Sequence, residues 1–93
     1  MKIFDLIWFD KIIEKLEQKH NIKKYEVLEV FGNNPKFRYV EKGIHHKENV
    51  YVALRRTKAG RYLIIFFIYK RDKQAFIVSA RDMTSSERKK YEQ

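Results

Sequence analysis

Eight consecutive apolar residues, Tyr62–Tyr69, constrain the fold of this chain more than any other stretch. A half-exposed antiparallel strand alternates apolar and polar residues, whereas this run places large apolar side chains on both faces. It is far too short to span a bilayer. Two interpretations remain open: a central strand that the rest of the protein covers on both sides, or a strand with one face that serves as a protein interface.

Strand-like periodicity predicts four strands from residue 36 onward, over residues 36–40, 50–57, 61–69 and 74–80. Only a few residues connect the last three of these strands, at Lys58-Ala59-Gly60 and at Lys70-Arg71-Asp72-Lys73. Short connections favour antiparallel neighbours. The simplest topology is therefore a four-stranded antiparallel meander.

Helical periodicity predicts two helices in the first third of the chain, over residues 10–20 and 23–31. Asp10 is a predicted N-cap of the first helix, and Asn21 suits its end because Asn tolerates a left-handed backbone. Residues 1–9 are mostly apolar and are predicted to form either a short strand or an extended arm over the core.

The last stretch predicts a basic C-terminal helix that begins at Thr84. Thr84 and Glu87 have the spacing of a capping box, in which each side chain accepts a hydrogen bond from the other residue's backbone. We therefore expect a single compact α+β domain over residues 1–93, with two N-terminal helices packed on a four-stranded antiparallel sheet and a C-terminal helix. The hydrophobic content of 44% suffices for one core.

The net charge is strongly positive, with 21 Lys and Arg residues against 12 Asp and Glu residues and a formal charge of +9. For so small a domain this charge favours nucleic acid, an anionic membrane or an acidic protein as partner. A basic protein without a polyanionic ligand is the alternative.

Other features narrow the class of protein. The absence of cysteine excludes disulfides, a thiolate nucleophile and a cysteine-based zinc site. Asp5 and Asp10 interrupt the apolar N-terminus, so it is a poor signal peptide. We therefore expect a cytoplasmic protein that does not bind membranes.

In a meander, alternate ends of successive strands meet at one pole of the sheet. Basic residues collect at the pole where the last helix starts: Lys36, Arg38, Arg56, Arg61, Arg81 and Arg88, with Glu87 beside them. Converging guanidinium groups beside a helix N-terminus are suited to bind a phosphate. The alternative is that Arg81 pairs with Asp82 or Glu87, and that the other arginines are solvated strand ends.

The opposite pole, about 20–25 Å away, carries the histidine-containing loop and the turn with Arg71. His45 and His46 have side chains that titrate near neutrality, so either is a candidate general base, with Glu48 as partner or alternative. Adjacent histidines alone make a poor metal site, and we expect no metal or other cofactor. Both poles can contact one extended RNA strand.

Several short motifs follow one another along the chain. They are Lys19-His20, Phe31, Asn34-Pro35, Ala53-Leu54-Arg55-Arg56-Thr57, Gly60-Arg61, Tyr69 with Arg71, and Ser79-Ala80-Arg81 followed by Met83-Thr84, Glu87-Arg88 and Tyr91. At these spacings the chain resembles the BrnT family, the toxins of bacterial type II toxin–antitoxin pairs, over most of its length. It departs from the family at Arg55 and Asn21, where glycine is common.

The resemblance implies a RelE-like fold, ribosome-independent cleavage of RNA, and a cognate antitoxin of the BrnA type, a ribbon-helix-helix protein that can join the toxin in a hetero-oligomer. Such cleavage proceeds by attack of a ribose 2′-hydroxyl on the adjacent phosphate. The expected catalytic residues are Arg56, Arg81, His46 and Glu48, and the expected RNA-binding residues are Arg61, Lys47, Arg55, Arg71 and Arg88. The alternative is a non-catalytic module that binds nucleic acid or only its antitoxin. Arg55 adds charge and bulk beside Arg56, which favours altered activity.

Overall fold

A computed structural model describes residues 1–41 and 48–93 of the chain. The helices are α1 (Asp10–His20), α2 (Lys24–Gly32) and α3 (Ser85–Glu92). The strands are β1 (Asp5–Ile7), β2 (Lys36–Glu41), β3 (Asn49–Arg56), β4 (Tyr62–Tyr69) and β5 (Gln74–Asp82). The α+β class is confirmed, and the four predicted strands lie within two residues of their predicted bounds.

The strands form one mixed sheet in the order β1-β5-β4-β3-β2. Strands β2 to β5 are the predicted antiparallel meander. The prediction of a four-stranded, wholly antiparallel sheet was wrong, because β1 adds a fifth strand parallel to β5. The backbone N–H of Phe4 donates to Lys73 O at 2.9 Å, and the Tyr69 hydroxyl donates to Lys2 O at 2.6 Å. The N-terminal segment thus pairs with an otherwise open edge of the sheet.

Strand β4 is central, and its two faces are covered by different helices. On one face Leu63, Ile65 and Phe67 are fully buried in a cluster with residues of α1 and α2. The ring of Phe67 makes an edge contact with Phe31, with 5.4 Å between the centroids. On the other face Ile64 packs with residues near or within α3. The apolar run is therefore a central strand, as one of the two interpretations proposed, but α3 covers its second face only in part, and Phe66 there stays half-buried.

Local sequence explains where the helices begin and end. The N-cap of α1 is Phe9, not the predicted Asp10. Asp10 lies in the first turn, where its negative charge interacts favourably with the positive end of the helix dipole. Asn21 ends α1 in the left-handed conformation with φ of 51°, as predicted. The capping box of α3 is also confirmed, because Glu87 N donates to Thr84 Oγ1 at 3.1 Å and Thr84 N donates to Glu87 Oε1 at 2.8 Å.

Arg61 joins the end of α1 and the start of α2 to the sheet. Its Nε and Nη2 donate to the two carboxylate oxygens of Asp82 at 2.8 and 3.1 Å. Its Nη2 also donates to His20 O, and its Nη1 donates to Asn21 O and to the buried carboxylate of Glu26. All five N–H groups of the guanidinium are used inside the protein. These contacts give Arg61 a structural role and leave no N–H for the phosphate that we expected it to bind.

Candidate functional site

A groove of about 350 Å³ lies between β2 and α3, over the sheet face opposite α1 and α2. Three basic side chains line it, those of Arg38, Arg81 and Lys90, together with one carboxylate, that of Glu87. The rest of the lining is mainly apolar and includes Tyr39, Val40, Val52, Leu54, Ile64 and Phe66. The groove, which we call the basic groove, combines positive charge at its walls with an apolar floor.

Strand register explains why these residues converge. Arg38 lies opposite Val52 on β3, and Arg81 lies opposite Ile64 on β4. Residues directly opposite each other in an antiparallel pair point to the same face. Arg38 and Arg81 therefore flank the same apolar floor from two different strands. Lys90 joins them from α3, where it lies three residues after Glu87 and hence on the same side of the helix.

Arg81 is held by the first turn of α3. Its Nη1 and Nη2 donate to the two carboxylate oxygens of Glu87 at 2.6 and 2.9 Å, and Nη1 also donates to Asp82 O at 3.2 Å. The guanidinium carbon lies 5.4 Å from the centroid of the Phe66 ring. The Nε–H and one Nη2–H have no acceptor among residues 1–41 and 48–93, and these two groups share one edge of the planar guanidinium. Arg81 thus keeps a two-pronged donor of the kind that binds phosphate oxygens.

Glu87 is a positioning group for Arg81. The hydrogen bonds from Arg81, together with the smaller effect of the capping bonds with Thr84, lower the pKa of Glu87 from 4.5 to about 2, against the opposing effect of burial. A carboxylate with so low a pKa is a weak base near neutrality. Glu87 therefore orients the guanidinium and is not suited to remove a proton from a substrate hydroxyl.

The low pKa of Glu87 predicts a stability contribution that depends on pH. A carboxyl group whose pKa is depressed by folding stabilises the protein above its unfolded-state pKa and loses that effect as the pH falls through the folded-state value. We expect wild type to exceed Glu87→Gln in unfolding free energy by about 2 kcal/mol near neutrality. The difference should shrink as the pH falls from 4.5 to about 2. Urea unfolding of both proteins across this range measures it, and a difference that stays constant with pH would contradict the assignment.

A second group of basic residues surrounds Tyr62, where β4 begins. The guanidinium carbons of Arg56 and Arg88 lie 5.5 and 3.9 Å from the centroid of the Tyr62 ring. The Nε of Arg88 donates to Glu92 at 3.0 Å. Arg56 is exposed and forms no ion pair with the residues that the structure describes. Arg56 and Arg81 thus lie at the same pole of the sheet, as the meander predicts, with Arg56 oriented by an aromatic ring.

The remaining predicted site residues lie elsewhere or outside the described residues. Glu48 pairs with Lys70 at 2.6 Å and lies eight residues before Arg56, so about 25 Å separates them along β3. Glu48 and Arg56 therefore do not act on one phosphate. The exposed Arg71 lies in the turn between β4 and β5, at the Glu48 end of the sheet. The predicted residues His45, His46 and Lys47 fall in the segment that the structure does not describe.

Sequence reasoning did not single out several residues around the groove. Lys90 had a usable signal, its helical spacing from Glu87, whereas the presence of Phe66 and Tyr39 in the lining depends on which strand face the helices leave uncovered.

No protein-family model and no curated protein matches this chain. In residues 1–41 and 48–93, no cluster of three or more His, Asp or Glu side chains is arranged to hold a metal ion. No helix in these two ranges is long and apolar enough to cross a membrane.

Proposed function

We propose that this protein is an endoribonuclease toxin of a type II toxin–antitoxin pair, similar to the BrnT family, and that it binds RNA along the basic groove. The observation that carries the proposal is the convergence of Arg38, Arg81 and Lys90 on one groove with an apolar, partly aromatic floor. The arrangement of helices on an antiparallel meander agrees with the RelE-like fold that this family implies. The proposed partner is a BrnA-like ribbon-helix-helix antitoxin, and the proposed location is the cytoplasm.

The groove has the two properties that single-stranded nucleic acid requires of a binding surface. Its cations neutralise backbone phosphates, which releases counterions and supplies affinity without sequence preference. Phe66 offers an aromatic side chain for a base, and stacking of a base on an aromatic ring contributes about 1–3 kcal/mol. RNA is the preferred ligand over DNA in this proposal because the proposed chemistry needs a 2′-hydroxyl.

In the proposed reaction the 2′-oxygen attacks the adjacent phosphorus, and the bond to the 5′-oxygen breaks. The products are a 2′,3′-cyclic phosphate and a 5′-hydroxyl, whose oxygen takes its proton from water. Arg81 and Arg56 stabilise the negative charge that accumulates on the phosphate oxygens. Lys70 holds Glu48 far from Arg56, and His46 and His45 lie only two and three residues before Glu48 in the sequence. We therefore assign the 2′-hydroxyl proton to water, with the two histidines as the alternative bases. No cofactor takes part.

The second candidate is a non-catalytic module that binds RNA or only its antitoxin. The partners and positions of the described acidic residues favour this second candidate. Glu87 is engaged by Arg81, and Glu48 lies at the other end of the sheet. A groove that binds phosphate does not by itself cleave RNA.

Cleavage of RNA by the purified protein in the presence of EDTA distinguishes the two candidates. We expect wild-type protein to produce fragments that end in a cyclic phosphate and a 5′-hydroxyl, and its induced expression to arrest growth. Co-expression of the cognate antitoxin should restore growth. Intact RNA together with normal growth, when soluble protein is present, would exclude the nuclease and favour the module.

A further inference from the structure

We propose that the end of β3 carries a second phosphate-binding pocket, centred on Arg55. A cavity of about 450 Å³ is formed here by the last residues of β3, the β3–β4 turn and α2. Its lining residues are Glu29, Asn33, Arg55, Arg56, Thr57, Lys58 and Tyr91. None of these residues except Tyr91 packs in the apolar floor of the basic groove. The pocket is a separate site, and its role toward RNA rests on the function proposed above.

The pocket contains hydrogen-bond donors that have no acceptor. The Nε of Arg55 is buried and has no hydrogen-bond partner among the described residues. The hydroxyl oxygen of Tyr91 accepts bonds from Arg55 Nη1 at 3.3 Å and from Arg56 N at 3.2 Å. Since this oxygen already accepts two bonds, its own hydrogen is available to donate. A buried polar group without a partner is costly, so the Arg55 Nε–H calls for an acceptor that the described residues do not supply, and the Tyr91 hydroxyl can donate to the same acceptor.

The charges in the pocket favour an anionic acceptor. Arg55, Arg56 and Lys58 contribute three positive charges, and Glu29 contributes one negative charge, which leaves a net charge of +2. Glu29 uses one carboxylate oxygen to accept the backbone N–H of Lys58 at 2.6 Å. Within the described chain, none of the three cations forms an ion pair. The excess positive charge is therefore available to a ligand.

A phosphate group fits these donors best. It offers several acceptor oxygens in a tetrahedral arrangement, which suits a guanidinium edge, a hydroxyl donor and neighbouring cations at once. Arg55 lies opposite Leu63 and so belongs to the sheet face that α1 and α2 cover, whereas Arg81 lies opposite Ile64 on the face of the basic groove. An RNA with one phosphate at Arg81 therefore reaches Arg55 by passing around the end of the sheet, where Arg56 and Tyr91 lie. In this proposal Arg55 extends the RNA path around that end of the sheet.

The pocket is tested first with inorganic phosphate, observed by the NMR signals of the arginine Nε–H groups and backbone amides. We expect phosphate to shift the Arg55 Nε–H and Arg56 amide signals in wild type. Arg55→Gln should weaken phosphate binding about tenfold. Tyr91→Phe should weaken it several-fold, because it removes the hydroxyl while keeping the ring that packs on Tyr62. Lys15→Gln removes the same charge from an exposed position on α1 and should leave the affinity unchanged.

Two results would overturn the pocket: unchanged phosphate affinity in Arg55→Gln, or an equal loss in Lys15→Gln, which would indicate only general attraction to a basic protein. The same variants are then titrated with a short single-stranded RNA, for which Arg55→Gln should lower the affinity several-fold more than Lys15→Gln. Phosphate binding at Arg55 without any RNA cleavage supports the pocket and counts against the nuclease. Cleavage without phosphate binding at Arg55 supports the nuclease and refutes the proposed phosphate-binding pocket.

Discussion

Arg61→Ala is expected to lower the free energy of unfolding by about 3 kcal/mol, the largest effect on stability of any charged residue in the described chain. The substitution removes six hydrogen bonds and leaves the buried carboxylate of Glu26 without its cation. It also separates the end of α1 from the sheet, since His20 O and Asn21 O lose their donor. Removing one partner of a partly buried charge network costs more than the network itself contributes.

Urea unfolding at neutral pH measures this prediction, with two matched variants. Arg61→Lys keeps the charge but not the planar fork, so we expect an intermediate loss of about 1–2 kcal/mol. Arg71→Ala removes an exposed arginine from a turn and should change stability by less than about 0.5 kcal/mol. If Arg61→Ala unfolded like Arg71→Ala, the structural role of Arg61 would be refuted, and a role in RNA binding would again be open.

Local patterns in the sequence predicted most of the fold. The period of two in residues 50–57, the short turns and the capping box at Thr84 are interactions between near neighbours, and all three are present in the structure. The missing feature was the pairing of β1 with β5. This pairing joins residues about seventy positions apart, Asp5 with Gln74, and no local pattern specifies it. The sequence alone is therefore compatible with either an extended arm or a short strand over residues 1–9.

The position of the site was predictable, but the partners of its side chains were not. The meander places Arg56 and Arg81 at one pole because strand direction alternates, and that inference needs only the strand order. Which carboxylate each arginine binds depends on side-chain positions. Arg81 binds Glu87, one of the two alternatives considered, whereas Arg61 binds both Asp82 and Glu26. Arg61 and Arg81 look alike in the sequence, but only Arg81 lines the basic groove.

Arg81→Ala is expected to reduce the rate of RNA cleavage about 10²–10³-fold, the largest effect on activity that the structure predicts. Arg81 provides the oriented donor edge at the groove, because it donates two hydrogen bonds to the carboxylate of Glu87, as no other described side chain of the groove does. The substitution has a secondary consequence, because it leaves the Glu87 carboxylate unpaired beside the incoming phosphate. The double variant Arg81→Ala/Glu87→Gln removes both charges and isolates the loss of the arginine from the added repulsion.

Single-turnover cleavage of a short RNA in EDTA, by wild type, Arg81→Ala, the double variant and Lys15→Ala, tests most directly whether the basic groove is the active site. Lys15 is an exposed cation of α1 outside both proposed sites. We predict that both Arg81 variants are slower than wild type by about 10²-fold or more, while Lys15→Ala stays within about threefold. Circular dichroism of each variant confirms that it is folded. Wild-type rates in both folded Arg81 variants, or an equal loss in Lys15→Ala, would contradict the placement of the active site in the groove.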